Sequence, residues 1–312
     1  MSLLTKRTVV LAKVESVANY GVDAVPTMAA NAVMAYDPEI TINADMKERN
    51  PGNADISRYP ELRGKTSFEL KFWTELKGSG VVGTAPQYDP LFRACGLDDS
   101  IMSATSVTYA PISTGLESCT IYVNIDGILY KCVGCVGDVE IDLNAGEVGK
   151  LNWTFKGLYV LPTDIPLTTP TFDSTVPVIV KSTVMTFGNY QAIIEKLNLK
   201  LNNVIAERPD FNTTDGIKGF AITGRNPEAS MTVEAVIMST TNANFLSYFD
   251  TRAVKALSFV LGTISGNIVT ILATYGYLRP PKIGDREGIR TFEIPFQLAR
   301  SAGNDEISIA LT

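Results

Sequence analysis

Period-two alternation of apolar and polar residues recurs along this chain, and the alternating segments come in the same order twice. Phe68, Leu70 and Phe72 oppose Glu69, Lys71 and Trp73; Val139, Ile141 and Leu143 oppose Glu140 and Asp142; Phe292, Ile294, Phe296 and Leu298 oppose Glu293 and Gln297. Such spacing puts successive side chains on opposite faces of a strand. It predicts antiparallel sheets with one packed face and one wet or partner-covered face.

The order repeats as follows. In the first half Ile40-Thr41-Ile42 leads to Glu48-Arg49, Leu62-Arg63-Gly64 and the strand at Phe68–Phe72; in the second, Leu197–Leu201 leads to Glu207-Arg208, Ile222–Arg225 and the strand at Met231–Ala235. A short helix signal follows in each, at Asp89–Ala94 and Asn242–Lys255. Then come a hairpin signal (Ile125–Ile128; Ile264–Ile268), a Gly-acid turn, and a closing strand at Leu151–Phe155 or Phe292–Leu298. Asp89 can cap the first helix, with Pro90 at its first position and Gly96 as its stop; Phe245, Leu246 and Phe249 share a face of the second. The expected fold is mainly β (α+β), with two tandem β-sandwich modules, each flanked by a short helix. An arm over residues 1–37 precedes a first module at 38–160. A linker with four prolines at 161–177 leads to a second module at 178–312. Repetition of one module at this length suits construction better than turnover of a substrate.

Composition excludes several functions. With 312 residues and 45% hydrophobic content the chain can bury a sizeable core. A net charge of −6 opposes a surface that grips nucleic acid by neutralising phosphates, though not one that nucleic acid slides past. The N-terminal run Met1–Arg7 lacks a signal-peptide core, so synthesis in a cytoplasm is expected. Ala256–Leu278 is uncharged and long enough to span a bilayer, but its Gly262, Ser265-Gly266-Asn267 and Gly276 predict two strands and a tight turn. There is no histidine, which removes Ser-His-Asp and Cys-His catalysis and any histidine-ligated metal. Cys132-Val133-Gly134-Cys135 has no second CxxC and does not open a helix, so all four cysteines are expected as small buried thiols. Gly78–Gly83 matches GxGxxG, yet Thr84-Ala85-Pro86-Gln87 separates it from the helix a dinucleotide site needs; it reads as a connection. No cofactor, metal or catalytic residue is expected.

Three patches in the first half share a family likeness. They are Leu11–Glu15 with Tyr20–Thr27; Glu75–Gly80 with Pro90–Leu97; and Tyr109-Ala110-Pro111, Cys119–Tyr122, Gly134–Val139, Ala145-Gly146-Glu147 and Phe155-Lys156-Gly157. In order and spacing the chain resembles the major tail tube proteins of long-tailed bacteriophages. The resemblance implies a structural virion protein, not an enzyme. Helix-flanked sandwiches would assemble into stacked rings whose inner sheets line a channel for ejected DNA. Two modules per chain would make three chains a pseudo-hexameric ring. It also implies self-association, contacts with tail terminator, tape measure and tail-tip proteins, double-stranded DNA passing without specific binding, no membrane, and assembly in the host bacterial cytoplasm. The arm and the linker are expected to lock neighbouring rings. From the polar strand faces, the channel-lining acids expected are Glu69, Glu75, Glu140, Asp142, Glu234 and Glu293, giving an electronegative wall. One rival is a tail-tip adhesin that binds host glycans through Tyr248, Tyr275 and Tyr277. The other is a cell-wall glycosidase using Glu140 and Asp142.

Overall fold

The computed structural model describes residues 3–181 and 183–312. The first half holds strands β1 (Thr8–Val14), β2 (Ala32–Val33), β3 (Ala35–Lys47) and β4 (Leu62–Glu75), helix α1 (Asp89–Ala94), then β5 (Leu97–Met102), β6 (Ser106–Pro111), β7 (Cys119–Ile125), β8 (Ile128–Asn144) and β9 (Lys150–Tyr159). After β10 (Thr163–Asp164) come β11 (Val184–Phe187), β12 (Ile194–Lys200), β13 (Asn203–Pro209), β14 (Ile217–Arg225) and β15 (Glu228–Glu234). Helix α2 (Phe245–Asp250) precedes β16 (Val254–Leu261), β17 (Val269–Leu278), β18 (Lys282–Arg286), β19 (Ile289–Leu298) and β20 (Ser308–Leu311). The fold is mainly β, of sandwich type, and its strands pair antiparallel throughout both halves.

Pairing runs in the same order in both halves. The first reads β1–β7–β8–β9–β4–β3 and the second β11–β16–β17–β19–β15–β12, with β18 continuing the course of β17 alongside β19. The registers agree as well. The transverse row Asp138–Thr154–Lys71–Glu39 crosses β8, β9, β4 and β3, and the row Lys282–Glu293–Thr232–Lys196 crosses β18, β19, β15 and β12. Each of β3 and β12 carries a bulge just before this row, at Tyr36/Glu39 and Ile194/Lys196, and β3 has a second at Ala44/Met46.

The halves are not separate bodies. The end of β8 pairs with β12, Leu143 opposite Leu197 and Ile141 opposite Leu199, so one sheet runs β3–β4–β9–β8–β12–β15–β19–β18. On the other layer the β5–β6 hairpin of the first half pairs with β20, the last strand of the second. The largest of three apolar clusters among the described residues draws on both halves, from Val10 through Trp153 to Leu311. Each helix plugs it with an aromatic ring: Phe92 packs edge-on to Trp153 at 5.1 Å, and Phe245 meets Phe187 at 6.4 Å.

Local chemistry departs from expectation in three places. Asp89 does not cap α1: Tyr88 occupies that position, and the Asp89 carboxylate, in the first turn, accepts the Tyr109 hydroxyl at 2.7 Å. The second helix is only Phe245–Asp250, because Asn244 caps it by accepting the Ser247 amide and Arg252 turns into the left-handed region (φ 52°). The segment expected as an arm contains β1, whose Val9–Ala12 are buried against β7. Beyond β1, the buried Glu15 carboxylate fixes the chain by accepting from the Gly21 and Gly134 amides and the Ser118 and Thr120 hydroxyls.

Parts of the linker are tied to the first half. Ile165 bonds Gly127 and Asn124, Asp173 bonds Gln87, and the buried Lys77 ammonium donates to the Asp173 and Thr175 carbonyls. All four cysteines are free and buried, and burial pushes the Cys95 and Cys135 thiols up. The uncharged stretch Ala256–Leu278 forms β16 and β17, and no helix among the described residues is long and apolar enough to cross a membrane.

Candidate functional site

The eight-strand sheet has one face on the core and one face away from it. Alternation decides which side chains go where: Phe68, Leu70 and Phe72 of β4 are buried, as are Ile141, Leu199, Ala229 and Phe296 in register across the seam. The residues between them project from the opposite face. One row there reads Tyr36–Trp73–Asn152–Glu140–Lys200–Glu228–Gln297.

All six acids expected on a channel wall lie on that face. None stands alone. Glu69 lies 2.9 Å from Lys71, Glu140 3.1 Å from Lys200, Asp142 3.2 Å from Lys196, and Glu293 3.4 Å from Lys282. Glu75 is 3.8 Å from Lys77 and accepts the Tyr36 hydroxyl, and Glu234 pairs with Arg286. The hydrogen bond from Lys71 holds the Glu69 carboxyl below the ordinary range, while burial, helped by Glu75, pushes Tyr36 up to about 12. In place of a uniformly acidic face, the sheet presents a mosaic of opposite charges. The alternation showed where the carboxylates stand on their own strands. It did not show that Lys196 and Lys200 on β12 would be laid beside Asp142 and Glu140 on β8, because strand partnership across the halves is not written in either segment.

The sheet has a free edge at each end. Among the described residues β3 pairs only with β4, and β18 only with β19. Both edges expose apolar side chains: Ile42 is 48% exposed and Ile283 64%. Natural sheets seldom leave long apolar edges uncovered in solution.

The rival sites fare differently. Glu140 and Asp142 are each held by a lysine of the neighbouring strand on an open sheet face. Lys255 sits 3.8 Å from the centre of the Tyr248 ring and Arg252 5.4 Å from that of Tyr277, so cations already occupy two of the three rings an adhesin would use. The GxGxxG loop has a packing role. A Cβ on Gly78 would run into the Gly266 carbonyl oxygen, and one on Gly266 would press on the Gly80 backbone. The Asn267 side chain accepts from the Gly78 amide and donates to Val176, tying a loop of one half to a turn of the other. No cluster of metal-binding side chains occurs among the described residues.

No curated protein sequence matches the chain. Residues 5–298 match the model of a family described as phage tail tube protein, nearly the whole length, and the chain belongs to that family of structural virion components.

Proposed function

We infer that this chain is the major subunit of a phage tail tube, and that three copies close into a ring of six sandwich units. The observation that carries this reading is the sheet β3–β4–β9–β8–β12–β15–β19–β18: its halves repeat one order and register, and it ends on two unsatisfied edges. Joining edge to edge in a head-to-tail ring satisfies every edge strand. Three chains of eight strands make about 24. At roughly 4.8 Å spacing and about 40° tilt, that barrel is roughly 50 Å across its backbone, leaving about 40 Å between side chains. DNA duplex fits through such a bore.

The polar face then lines the channel, with Glu69, Glu75, Glu140, Asp142, Glu234 and Glu293 among its residues. Paired charges suit passage. Glu69, Glu140, Asp142, Glu234 and Glu293 each occupy a lysine or arginine that would otherwise hold a phosphate, so DNA meets little net attraction. Stacked rings, capped by the tail terminator, wound around the tape measure and seated on the tail-tip proteins, would form the tube, after assembly in the host cytoplasm.

The test is direct. Purified protein, imaged by negative-stain microscopy and sized by light scattering, is expected to give trimeric rings or tubes. Monodisperse monomers at every concentration, together with virions whose tails survive loss of the protein, would refute the reading.

A further inference from the structure

Within one chain, the seam between β8 and β12 already joins the two half-sheets. Resting on the ring reading above, we propose that the seam between chains repeats its register, pairing β18 of one copy with β3 of the next, and that Glu39 and Arg286 make this seam selective through a reversed ion pair.

The register follows from the matched rows. Asp138, Glu140 and Asp142 on β8 correspond to Lys282, Gly284 and Arg286 on β18, because they face Thr154, Asn152 and Lys150 as the latter face Glu293, Thr291 and Ile289. Lys196, Asn198 and Lys200 on β12 correspond to Glu39, Thr41 and Asn43 on β3, because they face Thr232, Ser230 and Glu228 as the latter face Lys71, Glu69 and Ser67. The inner seam places Asp142 opposite Asn198 and Glu140 opposite Lys200. Carried over, Arg286 stands opposite Thr41 and Gly284 opposite Asn43, antiparallel.

Two observations support a partner at these edges. The apolar positions of the inner seam are sealed, Leu199 at 1% and Val139 at 2% exposed, while their counterparts Ile42 and Ile283 lie open at 48% and 64%. An edge whose twin is buried is an edge awaiting cover. The second observation is charge. The inner seam is crossed diagonally by Lys196 to Asp142 at 3.2 Å. At the corresponding positions of the outer seam stand Glu39 and Arg286, with the signs exchanged. Among the described residues Glu39 has no ion-pair partner within its own chain, whereas Arg286 also meets Glu195 and Glu234.

The exchange of signs gives specificity. If β3 of one copy invaded the seam on β8 of another, Glu39 would meet Asp142; if β12 docked on β18, Lys196 would meet Arg286. Each wrong junction sets like charges together, and only the alternating ring pairs every charge with its opposite. The partner is therefore a second copy of this chain, presented in one register.

The experiment measures ring assembly by light scattering and negative stain, at low and at high salt, for E39R, R286E and the double variant E39R/R286E. Among the described residues Glu39 makes no ion pair within its own chain, so E39R should cost the fold only the like-charge contact with Lys71 on the neighbouring strand, and circular dichroism with denaturant unfolding checks that it stays folded. The expected result is that E39R raises the protein concentration needed for rings by about tenfold or more at low salt, with the deficit shrinking near 1 M salt. The double variant restores assembly to within about threefold of the wild type. Should R286E fail to fold without Glu234 and Glu195 satisfied, an equimolar mixture of wild type and E39R provides the readout: the variant then caps growth at one edge. Rings from E39R at wild-type concentrations, or a folded double variant that stays as defective as E39R, would overturn this register while leaving the ring reading intact. Absence of rings from the wild type would instead remove that reading, and this one with it.

Discussion

Leu199 and Ile42 occupy the same place in matched sheets, yet replacing each with alanine should be felt by different observables. Leu199 is 1% exposed beneath the inner seam, so Leu199→Ala empties a filled site and costs about 2 to 5 kcal/mol of folding stability. Ile42 is 48% exposed at the free edge. Complete burial of an isoleucine is worth about 2 kcal/mol, so closing the outer seam over the exposed half yields about 1 kcal/mol. A trimeric ring has three such seams, and Ile42→Ala should therefore weaken ring formation by about 3 kcal/mol, or roughly 150-fold. Its own folding should lose less than about 1.5 kcal/mol, because the removed atoms already face water on one side. Denaturant unfolding at low concentration, followed by tryptophan fluorescence, reads the first quantity; analytical ultracentrifugation across concentration reads the second. The reasoning fails if Ile42→Ala leaves the assembly equilibrium unmoved, or if it lowers unfolding stability as much as Leu199→Ala does.

Three further expectations concern other parts of the molecule. Gly78→Ala should destabilise folding by about 3 kcal/mol or more, because its Cβ would collide with the Gly266 carbonyl, where only backbone can yield; Gly115→Ala, with open space around it, should cost about 1 kcal/mol for its positive φ alone, and equal denaturation midpoints for the two would refute the packing role. Burial, countered in part by the Tyr109 hydroxyl, pushes Asp89 up to about 6 from an unfolded value near 3.8, so the folded chain holds this proton more tightly. Its stabilising effect is complete below about pH 4 and is lost as pH rises through about 6, a swing of up to roughly 3 kcal/mol that Asp89→Asn should abolish, as seen in the difference between wild-type and variant stabilities across roughly pH 4–7. The paired substitution Glu140→Gln and Asp142→Asn frees Lys200 and Lys196, so tubes of this variant should bind short duplex DNA near 50 mM salt with a log–log salt slope of about −1 to −2 per contact site, where wild-type tubes bind little; no difference in a filter-binding assay would contradict the paired-charge account of the wall.

Much of this architecture is legible in the sequence because strand alternation is a local property. Phe68–Phe72, Val139–Leu143 and Phe292–Leu298 each declare which side faces the core, and burial follows their pattern. The helix at Asp89–Ala94 is equally local, marked by Pro90 and Gly96. What sequence does not supply is partnership between distant segments. The alternation of Leu197, Leu199 and Leu201 announces a strand, but its second partner, β8, lies in the other half of the chain. For the same reason the lysines beside the expected wall acids are invisible to a strand-by-strand reading, and the bare net charge of −6 suggests a uniformly negative surface. The β5–β6 hairpin crosses over to β20 by the same kind of long-range pairing.

On the proposed ring reading, the paired charges also bear on how a channel for a polyanion must be built. A wall of unpaired carboxylates would repel DNA, but it would equally repel itself, and neighbouring acids on strands about 4.8 Å apart would weaken the sheet that carries them. Lys196 and Lys200 resolve that conflict on β12 by neutralising Asp142 and Glu140 while consuming their own affinity for phosphate. The same residues hold the two half-sheets in register. If the sheet lines a channel as proposed, a lysine that both staples the seam and is kept from the DNA by its carboxylate cannot be exchanged for a neutral residue without loosening the seam, so seam strength and channel smoothness would be set by one group of side chains.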